Sequence, residues 1–306
     1  MNLTATKTIL KETFSEWSND KAPKLAASLA FYTMLALAPL LVLVTGIMGL
    51  VFGDEAARGQ VVEQFDHLIG KQGAEAVQTM IQNASQGNGE IWATIFGGIM
   101  LVFGATAVFV ELQDSMNTIW GVKPKQSGLK GLIKGRLASL TLIIGVGFLL
   151  MVSLVLSAAL AGVAKYMGHL LPGMDFLWQA LHFAVSIGVL TLLFAMIFKV
   201  LPDAKVPWRE VWVGAGVTAL LFTIGKFAIG FYLGQSSAVS VHGAAGSLAI
   251  VLLWVYYAAQ ILFLGAEFTQ VHAHHYGSRI EPAASAVKIE TRQEVVDEGR
   301  PAVRRA

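Results

Sequence analysis

The 306-residue chain is 55% hydrophobic and only 14% charged, with a net charge of +2 and no cysteine. Soluble domains carry about 25% charged residues, so this balance, with a mean hydropathy of +0.62, excludes a globular enzyme and points to a polytopic membrane protein. The net charge is too small to imply a nucleic-acid partner, and none is expected; the missing cysteines exclude disulfides, thiolate metal sites and a cysteine nucleophile.

Residues 1–24 read as a cytoplasmic amphipathic segment. Lys7, Lys11, Lys21 and Lys24 mix there with Glu12, Glu16 and Asp20. Phe14 and Trp17, three apart, suggest a short helix lying along the membrane surface. The first span, 25–52, holds no charged residue and exceeds the ~20 residues needed to cross a bilayer. It is too long for the apolar core of a cleaved signal. Pro39 in its middle removes a backbone donor and predicts a kink. That kink is either a packed bend or a candidate gating hinge.

Residues 53–90 form an insert. Val61, Val62, Phe65, Leu68 and Ile69 recur at helical spacing, as do Val77, Met80 and Ile81. They predict two short amphipathic periplasmic helices capping the membrane domain. The second span opens at 91 and ends near 110. It continues as ELQDSMNTIW, with Glu111 and Asp114 on one face and Gln113 and Asn117 on another. Further spans are expected at 137–164, 176–198, 211–233 and 244–271, which makes a membrane domain over 25–272. The polar residues 273–306 predict a disordered cytoplasmic tail.

Lys and Arg number four, five, three and six in the segments on one side of these spans. On the other side they number two, one and none, and Lys226 lies inside the fifth span. The positive-inside rule then puts both termini in the cytoplasm. The expected fold is an all-α, polytopic bundle of six transmembrane helices, embedded in a lipid bilayer.

The last span is the most informative stretch. From 227 to 266 there is no charged residue. Tyr256, Gln260 and Glu267 fall on one helical face, and a membrane helix turns such a stripe towards protein or a water-filled cavity. At ~1.5 Å per residue, Glu111, Asp114 and Glu267 come to similar depth at the cytoplasmic ends of their spans. They are either helix-end residues wetted at the interface or the acidic mouth of a cavity that binds a cation or a proton. The expectation is that Glu111, Gln260 and Glu267 face one another.

Lys226 lies about 22 Å into the fifth span, with His182 of the fourth span at matching depth. It either snorkels to the interface or joins His182 in a weakly basic pocket. Gly49/Gly53 and Gly230/Gly234 have the spacing that permits close helix approach. His272, His274 and His275 form a dense group at the last span's exit, read as a metal-binding candidate or a solvated interfacial cluster. No Asp or Cys completes a ligand set nearby, so no metal, cofactor or catalytic residue is assigned.

Several motifs occur in a familiar order. They are AFYTMLALAPLL from Ala30, MNTIWGV with Asn117 and Trp120, Leu201–Pro202 ahead of VPWREVW, and LLWVYYAAQILFLGAE ending on Glu267. Over about residues 20–275 the chain resembles the YihY/BrkB family of bacterial inner-membrane proteins. The resemblance implies six helices in the inner membrane. The family has carried the labels ribonuclease BN and serum-resistance factor, and neither is a mechanism. A nuclease needs a metal cluster or acid–base pair beside a basic groove, and the basic loop 123–136 lacks aromatic interleaving. A non-enzymatic role is therefore expected. The intramembrane charges and the proline favour a transporter or exporter of a small solute or lipid. The alternative is a non-transporting scaffold or envelope-integrity factor. A homo-oligomer is compatible with either.

Overall fold

The structure is a computed structural model. It describes residues 3–53, 58, 59, 61–63, 66, 74–79, 81, 82, 91–125, 175–235, 243–277 and 280–289. The expected third span, 137–164, lies outside them. The helices are α1 (Leu3–Asn19), α2 (Ala22–Phe52), α3 (Ile91–Ile119), α4 (Asp175–Val200), α5 (Trp208–Gln235) and α6 (Gly243–His275). Among the described residues, four short strands accompany them: β1 (Val122–Pro124), β2 (Ala204–Lys205), β3 (Glu281–Pro282) and β4 (Ala286–Lys288).

Among the described residues, three stretches are long and apolar enough to cross a membrane: Phe183–Val200, Trp208–Phe231 and Leu248–His275. Ala22–Leu37 is a shorter apolar stretch of the same kind. Their outward faces are also apolar. Leu220, Ile224, Phe227 and Phe231 form one exposed row along α5. A row of large side chains at helical spacing, open to the surroundings, suits acyl chains and would be a liability in water.

The chain folds α2 against α3 and α6, α5 against α4 and α6, and α1 against α6. Lys21 adopts a left-handed φ of 55°, which closes α1 and separates it from α2. Close contacts come from small residues. At Gly104 of α3 an added Cβ would lie 2.9 Å from the Ala36 Cα of α2. Gly214 of α5 abuts Thr269 of α6, and Gly265 of α6 abuts Thr218 of α5. Each threonine hydroxyl donates to the carbonyl four residues back, Thr218 to Gly214 and Thr269 to Gly265, at 2.7 Å and 2.6 Å. The two Gly-x3-Thr pairs therefore interlock reciprocally, each threonine in the notch left by the other helix's glycine. Gly230, by contrast, faces open space, so it makes no close helix approach here.

Two apolar cores result. One gathers Ala22, Ala26, Met116, Trp120, Phe198, Leu201 and Phe263 at the end of the bundle that carries both terminal segments. The other gathers Leu37, Leu41, Ile229, Ile250 and Trp254 with Val61, Val77 and Ile81 of the insert. The described insert residues thus cap α2, α5 and α6. Phe222 touches both cores and meets Phe194 and Trp254 edge-on.

The tail departs from expectation. α6 runs on to His275, and residues 281–288 are not disordered: β4 pairs with β1, and β3 with β2, both antiparallel. These two ribbons interrupt the all-α plan. Loop backbone that leaves a helix needs partners for its polar groups, and the tail supplies them. Lys125 N–H donates to Ser285 O, Ala283 N–H to Asp203 O and Ile289 N–H to Gly121 O, at 2.7–2.9 Å.

Candidate functional site

The terminus-bearing end of the bundle holds several of the described polar side chains, among them Glu267, Glu210, His272 and Asn117. Its deepest member is Glu267, which is 0% exposed and meets another acid, Asp20, in place of a basic partner. A buried carboxyl left in this way carries a large desolvation cost. The groups acting on it are Asp20, in the α1–α2 turn, and Glu16, on the last turns of α1. Both are acidic. Asp20 is half-buried, and that burial, reinforced by Glu16, pushes its carboxyl up to about 6. A contact with Glu267 acts in the opposite direction.

One turn further along α6, the backbone delivers His272 to a second acid. His272 Nδ1 lies 2.6 Å from Glu210 Oε2 at the start of α5, and Glu210 is 1% exposed. The imidazole lies between Phe268 and Tyr276, with centroid distances of 5.8 Å and 4.5 Å. His275 meets Glu12 of α1 at 2.6 Å in a more exposed pair, and His274 is exposed. The three histidines therefore do not act as one group: His272 and His275 meet different acids. Among the described residues, no three metal-ligand side chains converge.

A third group sits between the end of α3 and the turn from α4 to β2. Asn117 is buried. Its Nδ2 donates to Asp203 Oδ2 at 3.0 Å, and its Oδ1 accepts the Asp203 backbone N–H at 2.8 Å. Gln113 Nε2 adds a longer bond, 3.3 Å, to the same carboxyl oxygen. Asp203 and Glu111 are the acidic neighbours of Asp114, which is itself exposed. Alongside, Lys199 Nζ donates to the Val206 carbonyl at 2.6 Å and lies 5.2 Å from the Trp208 ring centroid.

Glu267 and Gln260 Oε1 are enclosed, while the acids acting on Glu267 are Asp20 and Glu16 and Glu111 acts on Asp114. Glu111 goes with Asp114 and Asp203, because the last turns of α3 face the α4–α5 connection. The place beside Glu267 is taken by the α1–α2 turn. Gln260 is half-buried, with its Oε1 enclosed and unpartnered. Tyr256 packs on the main core. Lys226 is half-buried at the opposite end of the bundle, where Asp66 of the insert acts on it. The side chains of His182 and Pro39 lie outside the described ones, although α2 runs unbroken through position 39. Asp20, Glu16, Asp203 and Glu210 were not singled out from sequence. The first two arrive through a turn that no spacing reveals. Glu210 carried a readable signal, an acid in the first turn of an apolar helix.

A family model described as virulence factor BrkB matches residues 13–290, from the second half of α1 through β4. The chain belongs to the BrkB family. Over 91% of its length it is 27% identical to a UPF0761 membrane protein of Teredinibacter turnerae, of which it spans 64%. It is 28% identical to a UPF0761 membrane protein of Tolumonas auensis, covering 82% of this chain and 80% of that protein. A third relative, from Pseudomonas paraeruginosa, is 28% identical over 81% of this chain and 58% of its own length. The chain thus spans less than two thirds of two of these relatives. No solved structure matches.

Proposed function

We propose that this BrkB-family membrane protein is a bacterial inner-membrane transporter, moving a small solute or lipid through a six-span bundle with both ends cytoplasmic. The observation that carries the reading is Glu267. It lies in the longest apolar stretch among the described residues, Leu248–His275, fully buried beside another acid. An ionisable group held within an apolar span is costly and marks ion or substrate pathways more often than packing. The Lys and Arg distribution supports the orientation, and the packing of α1 on α6 supports a common side for the two terminal segments.

The experiment is flux in proteoliposomes, run in two arms. One follows exchange of a fluorescent phospholipid between leaflets; the other follows osmotic swelling in small zwitterionic solutes. Activity in either arm that Glu267→Gln lowers at least tenfold, with unchanged melting in detergent, supports transport. Flux equal to empty vesicles in both arms favours the scaffold reading. RNA turnover by the same sample is not expected, since the basic loop 123–136 lacks the aromatic interleaving of an RNA-binding face.

A further inference from the structure

The outward face of α5 has an apolar length and a cationic end. Val213, Leu220, Ile224, Phe227 and Phe231 are all exposed, and their spacing puts them on one helix face. From Val213 to Phe231 the helix rises about 27 Å at ~1.5 Å per residue, close to the ~30 Å hydrocarbon core of a bilayer. Arg209 stands about one turn before Val213 on the same face, and it is exposed. It therefore lies ~6 Å beyond the apolar row, at the level of the lipid phosphates.

Two tryptophans flank it. Trp208 and Trp212 are exposed and stacked at 6.3 Å, and amphipathic rings of this kind favour the membrane–water interface. Lys199, in the last turn of α4, places its Nζ over Trp208, 5.2 Å from the ring centroid. That Nζ donates to the Val206 carbonyl at 2.6 Å, which occupies one of the three N–H bonds of an ammonium. Lys205 stands opposite Glu281 in the β2–β3 ribbon, so its charge is offset. Glu210, next to Arg209 in sequence, is buried and bonded to His272. Among the described residues, no carboxylate pairs with Arg209 or Lys199.

We propose that this end of α5 binds one anionic phospholipid. Arg209 and Lys199 engage its phosphate, the Trp208–Trp212 pair lies beside its glycerol, and its acyl chains rest on Val213, Leu220 and Ile224. The charges select the ligand: an anionic headgroup brings only negative charge to two cations, whereas a zwitterionic one also brings an ammonium. The apolar row favours a lipid over free phosphate. A second copy of the chain fits this face poorly. Copies in one membrane share an orientation, so a two-fold axis here would set Arg209 against Arg209.

Lipid binding at this place needs neither transport nor Glu267, so it can fail apart from the flux experiment. Native mass spectrometry of the full chain in detergent, titrated with phosphatidylglycerol or phosphatidylcholine, counts bound lipid directly. Wild type should take up its first phosphatidylglycerol about fivefold more tightly than phosphatidylcholine. Arg209→Gln, at an exposed position, should remove most of that preference, and Lys199→Gln should lower it. Lys123→Gln, which deletes an exposed cation of β1 at the same end of the bundle, should leave it unchanged. No preference in wild type overturns the proposal, as does full preference in Arg209→Gln or an equal loss in Lys123→Gln. Displacement of the lipid by inorganic phosphate, or a dimer that excludes phosphatidylglycerol, would give the face to another occupant and also overturns it.

Discussion

The Glu210–His272 pair shows how little a local sequence motif says about contacts. In sequence, His272, His274 and His275 look like one unit. On a helix each residue advances by about 100°, so His272 turns to α5, His275 to α1 and His274 to the surroundings. The pair itself was unreadable, because its partners are 62 positions apart. Glu210 is almost fully enclosed, so removing the imidazole takes a charge-assisted partner from a buried carboxyl. His272→Ala should lower stability by about 2 kcal/mol, seen as a reduced melting temperature in detergent. His272→Gln, which restores a donor, should recover part of it. Equal melting for wild type and His272→Ala would show that the contact contributes nothing.

At the scale of elements, the apolar runs were legible: α2, α4, α5 and α6 start and stop within a few residues of the expected spans, whereas α3 starts where expected and runs well past 110 to Ile119. Helix faces were less legible. Gly230/Gly234 and Gly214/Thr218 carry the same small-x3-small spacing, but sequence does not say which face meets another helix and which meets lipid. Gly214 turned out to abut Thr269, while Gly230 meets nothing. Gly214→Ala should therefore cost about 1–3 kcal/mol by forcing α5 from α6, and Gly230→Ala should be neutral or slightly stabilising. Thermal melting of the two variants side by side checks this; equal losses would contradict the packing. The tail strands were missed for a different reason. Residues 281–288 are too short and too rich in Ala and Pro to announce a strand, and they become ordered because two loops leave backbone donors and acceptors beside them.

At the scale of the whole molecule, α1 packs on α6 and the tail strands pair with both loop strands. Both terminal segments are thereby clasped to one end of the bundle. The described insert residues close the other end over Leu37, Leu41 and Trp254. Composition made the membrane setting plain; the clasp depends on long-range pairing and was not visible in it. The central claim is that these two ends face opposite sides of the bilayer, with the terminal end inside the cell. Because the chain has no cysteine, single cysteines can be placed without background. Glu12→Cys and Val287→Cys mark the terminal end, and Glu63→Cys marks the insert. On intact spheroplasts, a membrane-impermeant maleimide should label only the insert position, and permeabilisation should expose the other two. Labelling of position 12 or 287 before permeabilisation, with position 63 protected, would contradict the account.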